Sequence, residues 1–244
     1  MVAADELPGS PGPGTSRSDI SEAVQLVERR AGPHGEVALR RRGECFEIIA
    51  NGCFLMDSSD GRSERLMVSA ALDMLEQPHG ASVLIGGLGI GFSLAEACAD
   101  PRPGRICVVE REQAVIDWHT RGAAPLRRFA GTGHCDPRAR IRTDDLLRHV
   151  RTRDERSAVL CLGIDNGPDW TVTDDNQEVY APAGLTALER VLTDRGVLSV
   201  WSAAPAPAFT QRLASRFARV ETLEIPALPD RRGEPDVVIL ASRA

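Results

Sequence analysis

The sequence predicts an α/β fold: a doubly wound, mostly parallel sheet with an antiparallel closing strand, preceded by a small N-terminal β module. Three observations carry this. Ser82-Val83-Leu84-Ile85 is a short apolar run of the kind that forms a buried parallel strand, and four glycines (Gly86, Gly87, Gly89, Gly91) follow it before the helical stretch Ser93 to Cys98. Apolar segments near 105–110, 139–143, 158–163 and 196–201 then alternate with helical ones, the pattern of a parallel sheet. The last two apolar segments, near 219–225 and 235–241, face each other across Pro229-Asp230-Arg231-Arg232-Gly233 and fit an antiparallel pair.

Residues 1–18 are rich in Gly, Pro and Ser and are expected to be disordered, because they cannot bury a core. Residues 19–78 form the next unit. A short helix is expected over 19–30, with Ile20, Ala23, Val24 and Val27 on one side. A meander follows: Glu36 to Arg40 alternates, Cys45 to Ile49 returns after a turn, and Asn51-Gly52 is a hairpin signal before Cys53 to Met56. A helix then runs from Ser63 to about Glu76 and stops before Pro78. Residues 79–244 form the large domain.

The chain has 244 residues and a net charge of −6, which argues against nucleic-acid binding by bulk electrostatics. It contains no lysine, so a lysine nucleophile is excluded. The six cysteines form no Cys-x-x-Cys pair and imply neither a zinc site nor a disulfide framework. No apolar run reaches membrane-spanning length and no signal pattern opens the chain, so no membrane partner and a cytoplasmic location are expected.

Strand, glycine turn and helix together make a nucleotide or nucleoside site, with Gly86, Gly87, Leu88, Gly89 and Gly91 as its backbone. The order Gly87-x-Gly89-x-Gly91 suits a nucleoside packed over the turn with no pyrophosphate to cradle. Glu110 ends the next strand, about 20 residues on, where a carboxylate accepts hydrogen bonds from both ribose hydroxyls. Asp144 and Asp145 end the third strand, where one acid can cap a helix while its neighbour meets an adenine amino group. Past the fourth strand, Asp165-Asn166-Gly167-Pro168-Asp169-Trp170 lies at the mouth of the site. Asp165 there can orient an amine and accept its proton, or simply build a turn. Trp170 either walls an acceptor pocket or packs on the following helix.

These residues resemble the spermidine/spermine synthase (polyamine aminopropyltransferase) family on the class I S-adenosylmethionine-dependent methyltransferase fold. The resemblance runs from about residue 36 to 225. It rests on the meander, Asn51-Gly52 with Asp60 downstream, the 85–91 turn, Val108-Val109-Glu110, Asp136-Pro137-Arg138 before Asp144, the Asp165 loop and Tyr180. It implies a Rossmann-like domain behind an N-terminal β domain. It also implies polyamine biosynthesis-like transfer of an aminopropyl group from decarboxylated S-adenosylmethionine to an amine, without a metal. Asp60, Glu64, Asp165 and Trp170 would face the amine, and a homodimer is compatible. Three departures stand out. Gly89 replaces the family's aspartate in the turn, which pairs with the donor's ammonium. Gly163 stands at the loop's first acid. Leu55 and Glu64-Arg65 replace the Gln and Tyr-His that line the polyamine pocket. Methyl transfer from S-adenosylmethionine to an amine or other small molecule is therefore the alternative, and non-catalytic nucleoside binding a third class.

Overall fold

A computed structural model describes residues 23–228 and 234–243. The tail expected to be disordered and the turn over 229–233 lie outside the described residues. Four strands, β1 (Val24–Gly32), β2 (Gly35–Arg42), β3 (Cys45–Ala50) and β4 (Cys53–Asp57), form an antiparallel sheet in chain order. Of the helix expected over 19–30, residues 19–22 lie outside the described residues, and Val24 to Arg30 are instead part of β1. Its register runs to Gly32 opposite Gly35 across Pro33-His34, a tight hairpin that Gly35 permits with φ of 115°. β1 lies on the sheet edge with its residues mostly exposed, so its apolar residues form no core-facing helical stripe. Asn51 and Gly52 close the β3–β4 hairpin with φ of 50° and 79°, the left-handed pair of a type I′ turn. Val37, Leu39, Phe46 and Ile48 are buried on one side of this sheet.

Helix α1 (Arg62–Met74) follows and buries Met67, Val68, Ala71 and Leu72, its apolar positions at helical spacing. The second sheet has seven strands: β5 (Ala81–Gly86), β6 (Pro103–Glu110), β7 (Ala139–Thr143), β8 (Ser157–Leu162), β9 (Leu192–Ser202), β10 (Arg219–Ile225) and β11 (Asp236–Ser242). Their order is β10-β11-β9-β8-β5-β6-β7. β7, β6, β5, β8 and β9 run parallel, and β11 pairs antiparallel with both β9 and β10, as the sequence predicts. Helices α2 (Phe92–Ala99), α3 (Gln113–Thr120), α4 (Leu146–Thr152), α5 (Asp174–Tyr180), α6 (Pro182–Arg190) and α7 (Pro207–Ala214) provide the crossovers. Val83, Ile85, Val159 and Cys161 point into one core layer, while Leu84, Leu160 and Leu162 point into the other. No described helix is long and apolar enough to cross a membrane.

β5 pairs with β6 on one side and with β8 on the other. The strand order reverses there, and such a reversal opens a crevice at the carboxyl ends of the strands. The glycine turn leaves β5 at that point. The first sheet closes the crevice from above, tied down where Arg30 pairs with Asp117 at 2.6 Å and Trp118 donates to Glu28 at 2.7 Å.

Candidate active site

The floor of the crevice is the turn after β5. Gly87 has φ of 89°, and a Cβ there would lie 2.3 Å from the carbonyl oxygen of Gly163. The turn therefore packs backbone against backbone on the end of β8, where Gly163 N–H donates to Gly86 O at 3.0 Å. Glu110 is buried at the tip of β6. Its Oε2 accepts from Leu88 N–H and its Oε1 from Glu112 N–H, both at 2.8 Å. Burial pushes this carboxyl above the usual range, and the two N–H donors offset part of that. A carboxylate has about four lone-pair sites, so acceptor capacity remains for ligand hydroxyls.

The turn is braced from below by His119, which is fully buried on α3. Its Nε2 lies 2.8 Å from Gly89 O, and its Nδ1 lies 3.3 Å from Nε2 of His134. Burial pulls His119 down to about 4, so the ring is neutral at pH 7. A neutral ring that donates from Nε2 to a carbonyl must accept at Nδ1, so His134 donates there. Sequence reasoning missed both histidines, which are far from the turn in sequence and carry no motif.

Gly89 has φ of 50°, and the space a Cβ would take there is filled by Met56 of β4, whose Sδ would be 2.4 Å away. Met56 Sδ also accepts from Ile90 N–H at 3.4 Å. An apolar side chain of the first sheet thus sits where the resembled family has an acid.

Asp144, Asp145 and Arg111 line the same cavity. Asp145 caps α4 through Arg148 N–H at 2.7 Å. Asp144 pairs with Arg148 and lies 3.2 Å from His149 Nδ1. Burial alone would raise Asp144, but those two partners outweigh it and hold it below the usual range. Asp165 is buried at the end of β8 and accepts from Asn166 N–H, Val172 N–H and the Asn176 amide, the last at 2.6 Å. Three donors commit it to closing the 165–176 loop. Arg111 donates to Thr173 Oγ1 and Asn176 Oδ1 and ties that loop to β6. Tyr180, part of the family resemblance, is buried against Phe209, its hydroxyl has no hydrogen-bond partner among the described residues, and it does not line the cavity.

At the other end, α1 presents Ser63 and Glu64. Ser63 Oγ lies 2.7 Å from Asp236 Oδ2 and 3.0 Å from Glu64 Oε2, and it accepts from Trp201 Nε1 at 3.0 Å. One hydroxyl has one hydrogen to donate. It can satisfy only one of the two carboxylates, and the other is satisfied when it carries its own proton and donates to Ser63. Burial pushes Glu64 up to about 7, and Asp236 rises for the same reason. Both carboxyls are therefore held protonated to a higher pH than a free carboxylate. Asp60 is engaged by the Arg62 guanidinium through both oxygens. Trp170 is 57% exposed at the rim. Asp236 and Trp201 were not singled out from sequence. Trp201 lies at the carboxyl end of a parallel strand, the one signal that could have found it.

Two cavities meet here. The inner one, about 1100 Å³ with its mouth, contains Gly87, Leu88, Gly89, Glu110, Asp144, Asp145 and Asp165. The outer one, about 870 Å³ with its mouth, contains Asp60, Trp170 and Asp236. Leu55, Met56, Glu64 and Trp201 line both. Among the described residues no group of three or more His, Cys, Asp or Glu is placed to hold a metal ion.

Fold and crevice together define a Rossmann-like protein with an N-terminal β module over its glycine turn. Solved structures with this architecture include two spermidine synthases. A spermidine synthase in complex with the transition-state analogue AdoDATO matches with a TM-score of 0.73 and 15% identity, covering 90% of this chain and 74% of its own. Spermidine synthase from Thermotoga maritima matches with a TM-score of 0.71 and 16% identity, covering 90% of this chain and 73% of its own. No protein-family model matches the sequence, and no curated protein does. The chain has the spermidine synthase fold.

Proposed function

We propose that this protein transfers an aminopropyl group from decarboxylated S-adenosylmethionine to an amine. The observation that carries this reading is the pair of cavities joined at Glu64 and Trp201, one floored by a glycine turn and a buried glutamate, the other walled by carboxylates. In this reading Glu110 accepts from the ribose hydroxyls, and the 86–91 backbone and Asp144–Asp145 bound the nucleoside. Asp60, Glu64 and Trp170 line the side from which the amine arrives, and Asp165 holds the loop that closes the inner cavity.

The donor supplies the carbon beside a sulfonium and the leaving group. The chain's own residues orient and exclude water. The amine lone pair forms the C–N bond as the C–S bond breaks, and the electron pair stays on sulfur. The proton released from nitrogen goes to the Glu64–Asp236 pair, whose raised affinity for protons suits it to that task at neutral pH. Because Asp165 is committed to three N–H donors, Glu64 is our choice of proton acceptor.

Gly89 backed by Met56 favours one second reading. With no acid there, the turn neither attracts the donor's ammonium nor repels the carboxylate of a full amino acid end. Methyl transfer from S-adenosylmethionine would use the same cavity. Incubation with each donor separately and a panel of amines, read by product mass, separates the two. Methylthioadenosine with an amine heavier by an aminopropyl group is expected. A methylated amine with S-adenosylhomocysteine would select the second reading. In competition binding, S-adenosylmethionine is expected within about tenfold of the decarboxylated form, about 1.4 kcal/mol.

A further inference from the structure

Resting on the reading above, we infer that His119, held by His134, is a positioning residue for the donor: it sets which way the Gly89–Ile90 peptide faces, and through that the affinity of the nucleoside site. The observation is one peptide group held from both sides. Its carbonyl, Gly89 O, lies 2.8 Å from Nε2 of His119 on α3, and its N–H, that of Ile90, donates to Met56 Sδ on β4 at 3.4 Å. A trans peptide points its C=O and N–H in opposite directions, so the two side chains grip it from below and from above. Gly89 and Met56 line the inner cavity, and neither histidine does. What the histidines do for a ligand, they do through this peptide.

The grip matters because the peptide could otherwise turn. Gly89 has φ of 50° and no Cβ, so both orientations of the peptide that follows it are open. A buried carbonyl that lost its donor would gain by rotating away from α3, since an unpaired buried acceptor is costly. The imidazole also fills the space under Gly91, where a Cβ would lie 2.9 Å from His119 Cε1. Its tautomer is set from the far side. Half-buried His134, between α3 and β7, has its Nε2 at 3.3 Å from His119 Nδ1. By donating there, it leaves the His119 proton on Nε2, facing Gly89 O. With the proton on Nδ1, a lone pair would face the carbonyl instead.

Calorimetry with methylthioadenosine on the parent, His119→Leu and His119→Gln tests this. Leucine fills similar space and donates nothing, whereas the glutamine amide nitrogen reaches near the Nε2 position and donates as the ring does. Because apparent affinity falls with the populated fraction of the competent orientation, the Leu variant is expected to bind about tenfold more weakly, and the Gln variant within about threefold of the parent. A merely structural role would lower the melting temperature and leave the affinity of the folded protein unchanged. Equal affinity in the parent and the Leu variant, or a Gln variant as weak as the Leu variant, would overturn the inference. If the Leu variant does not fold, the parent decides. Nitrogen-15 NMR is expected to show His119 protonated at Nε2 alone, with that resonance shifting as methylthioadenosine is added. A proton on Nδ1, or a resonance that the nucleoside leaves unmoved, would overturn it. In His134→Ala the Nδ1–H tautomer of His119 is expected to appear, and a spectrum still showing Nε2–H alone would overturn the role of His134. A parent that binds no methylthioadenosine is a different failure: the reading beneath has then failed, and the inference falls with it.

Discussion

The floor and the mouth of the crevice are built differently. The floor comes from one short stretch, residues 86–91, clamped by Glu110 through backbone N–H groups and braced by a buried histidine pair. The mouth is assembled from side chains of β4, α1, β9 and β11, brought together by the fold, and those of α1, β9 and β11 are linked through one serine hydroxyl. Backbone that packs on backbone tolerates almost no substitution. Side chains that meet across long sequence separations can be exchanged one at a time. The floor is therefore suited to a part of the ligand that does not vary, and the mouth to a part that does.

The largest effect should come from the floor. Gly87→Val places a Cβ against the Gly163 carbonyl at positive φ. We expect a loss of about 3 kcal/mol or more in denaturant unfolding, with no detectable nucleoside binding. A variant of parental stability would show that the turn can move away from β8. Next in size, Glu110→Ala should weaken methylthioadenosine binding by about 2–3 kcal/mol, because two hydrogen bonds to a charged group are lost. Calorimetry checks this, and unchanged affinity would remove Glu110 from the donor site.

A smaller effect tests the boundary between floor and mouth. Gly89→Asp alone should cost about 1–2 kcal/mol, since the new side chain meets Met56 and φ is positive. Adding Met56→Ala should recover part of that loss, a non-additive pair measurable by a double-mutant cycle. Strict additivity would mean that the strain lies in the backbone alone.

The effect expected at the mouth depends on pH. Glu64 has a folded-state value of about 7, raised from 4.5 by burial. A carboxyl with a raised folded value favours the fold most at low pH, and that contribution is lost as pH rises through the folded value. Glu64→Gln, always neutral, should thus melt higher than the parent at pH 8, and the gap should close below about pH 5. Equal melting temperatures at both pH values would show Glu64 to be solvated.

The floor was legible in the sequence because its signals are local. Four glycines, an apolar strand before them and an acid at the next strand tip lie on one βα unit and its successor; the structure brings Gly87, Gly89 and Glu110 to one cavity, while Gly86 and Gly91 shape the turn without lining it. The closing hairpin was legible for the same reason. The mouth was legible only in part. Asp60, Glu64 and Trp170 were expected there and line it, but Asp236, Trp201 and Ser63 reach Glu64 through tertiary packing that no spacing encodes. β1 was misread because an edge strand that buries little carries no period of its own, and its partner across Pro33-His34 decides its conformation.

Met56 reaches from the first sheet onto the turn of the second, and Val37, Ile48 and Leu55 line the inner cavity beside it. A molecule filling that space touches both sheets at once and acts as mortar between them. By mass action it favours the state in which they are joined, adding about 2.7 kcal/mol at a hundredfold excess over its dissociation constant. In the function proposed above that molecule is the nucleoside, and loosening of the N-terminal sheet and its escape would then be the same event. The emptied protein should then soften first along the seam between the two sheets, and hydrogen exchange at Met56 and Ile90 would register the nucleoside's arrival as a sealed joint.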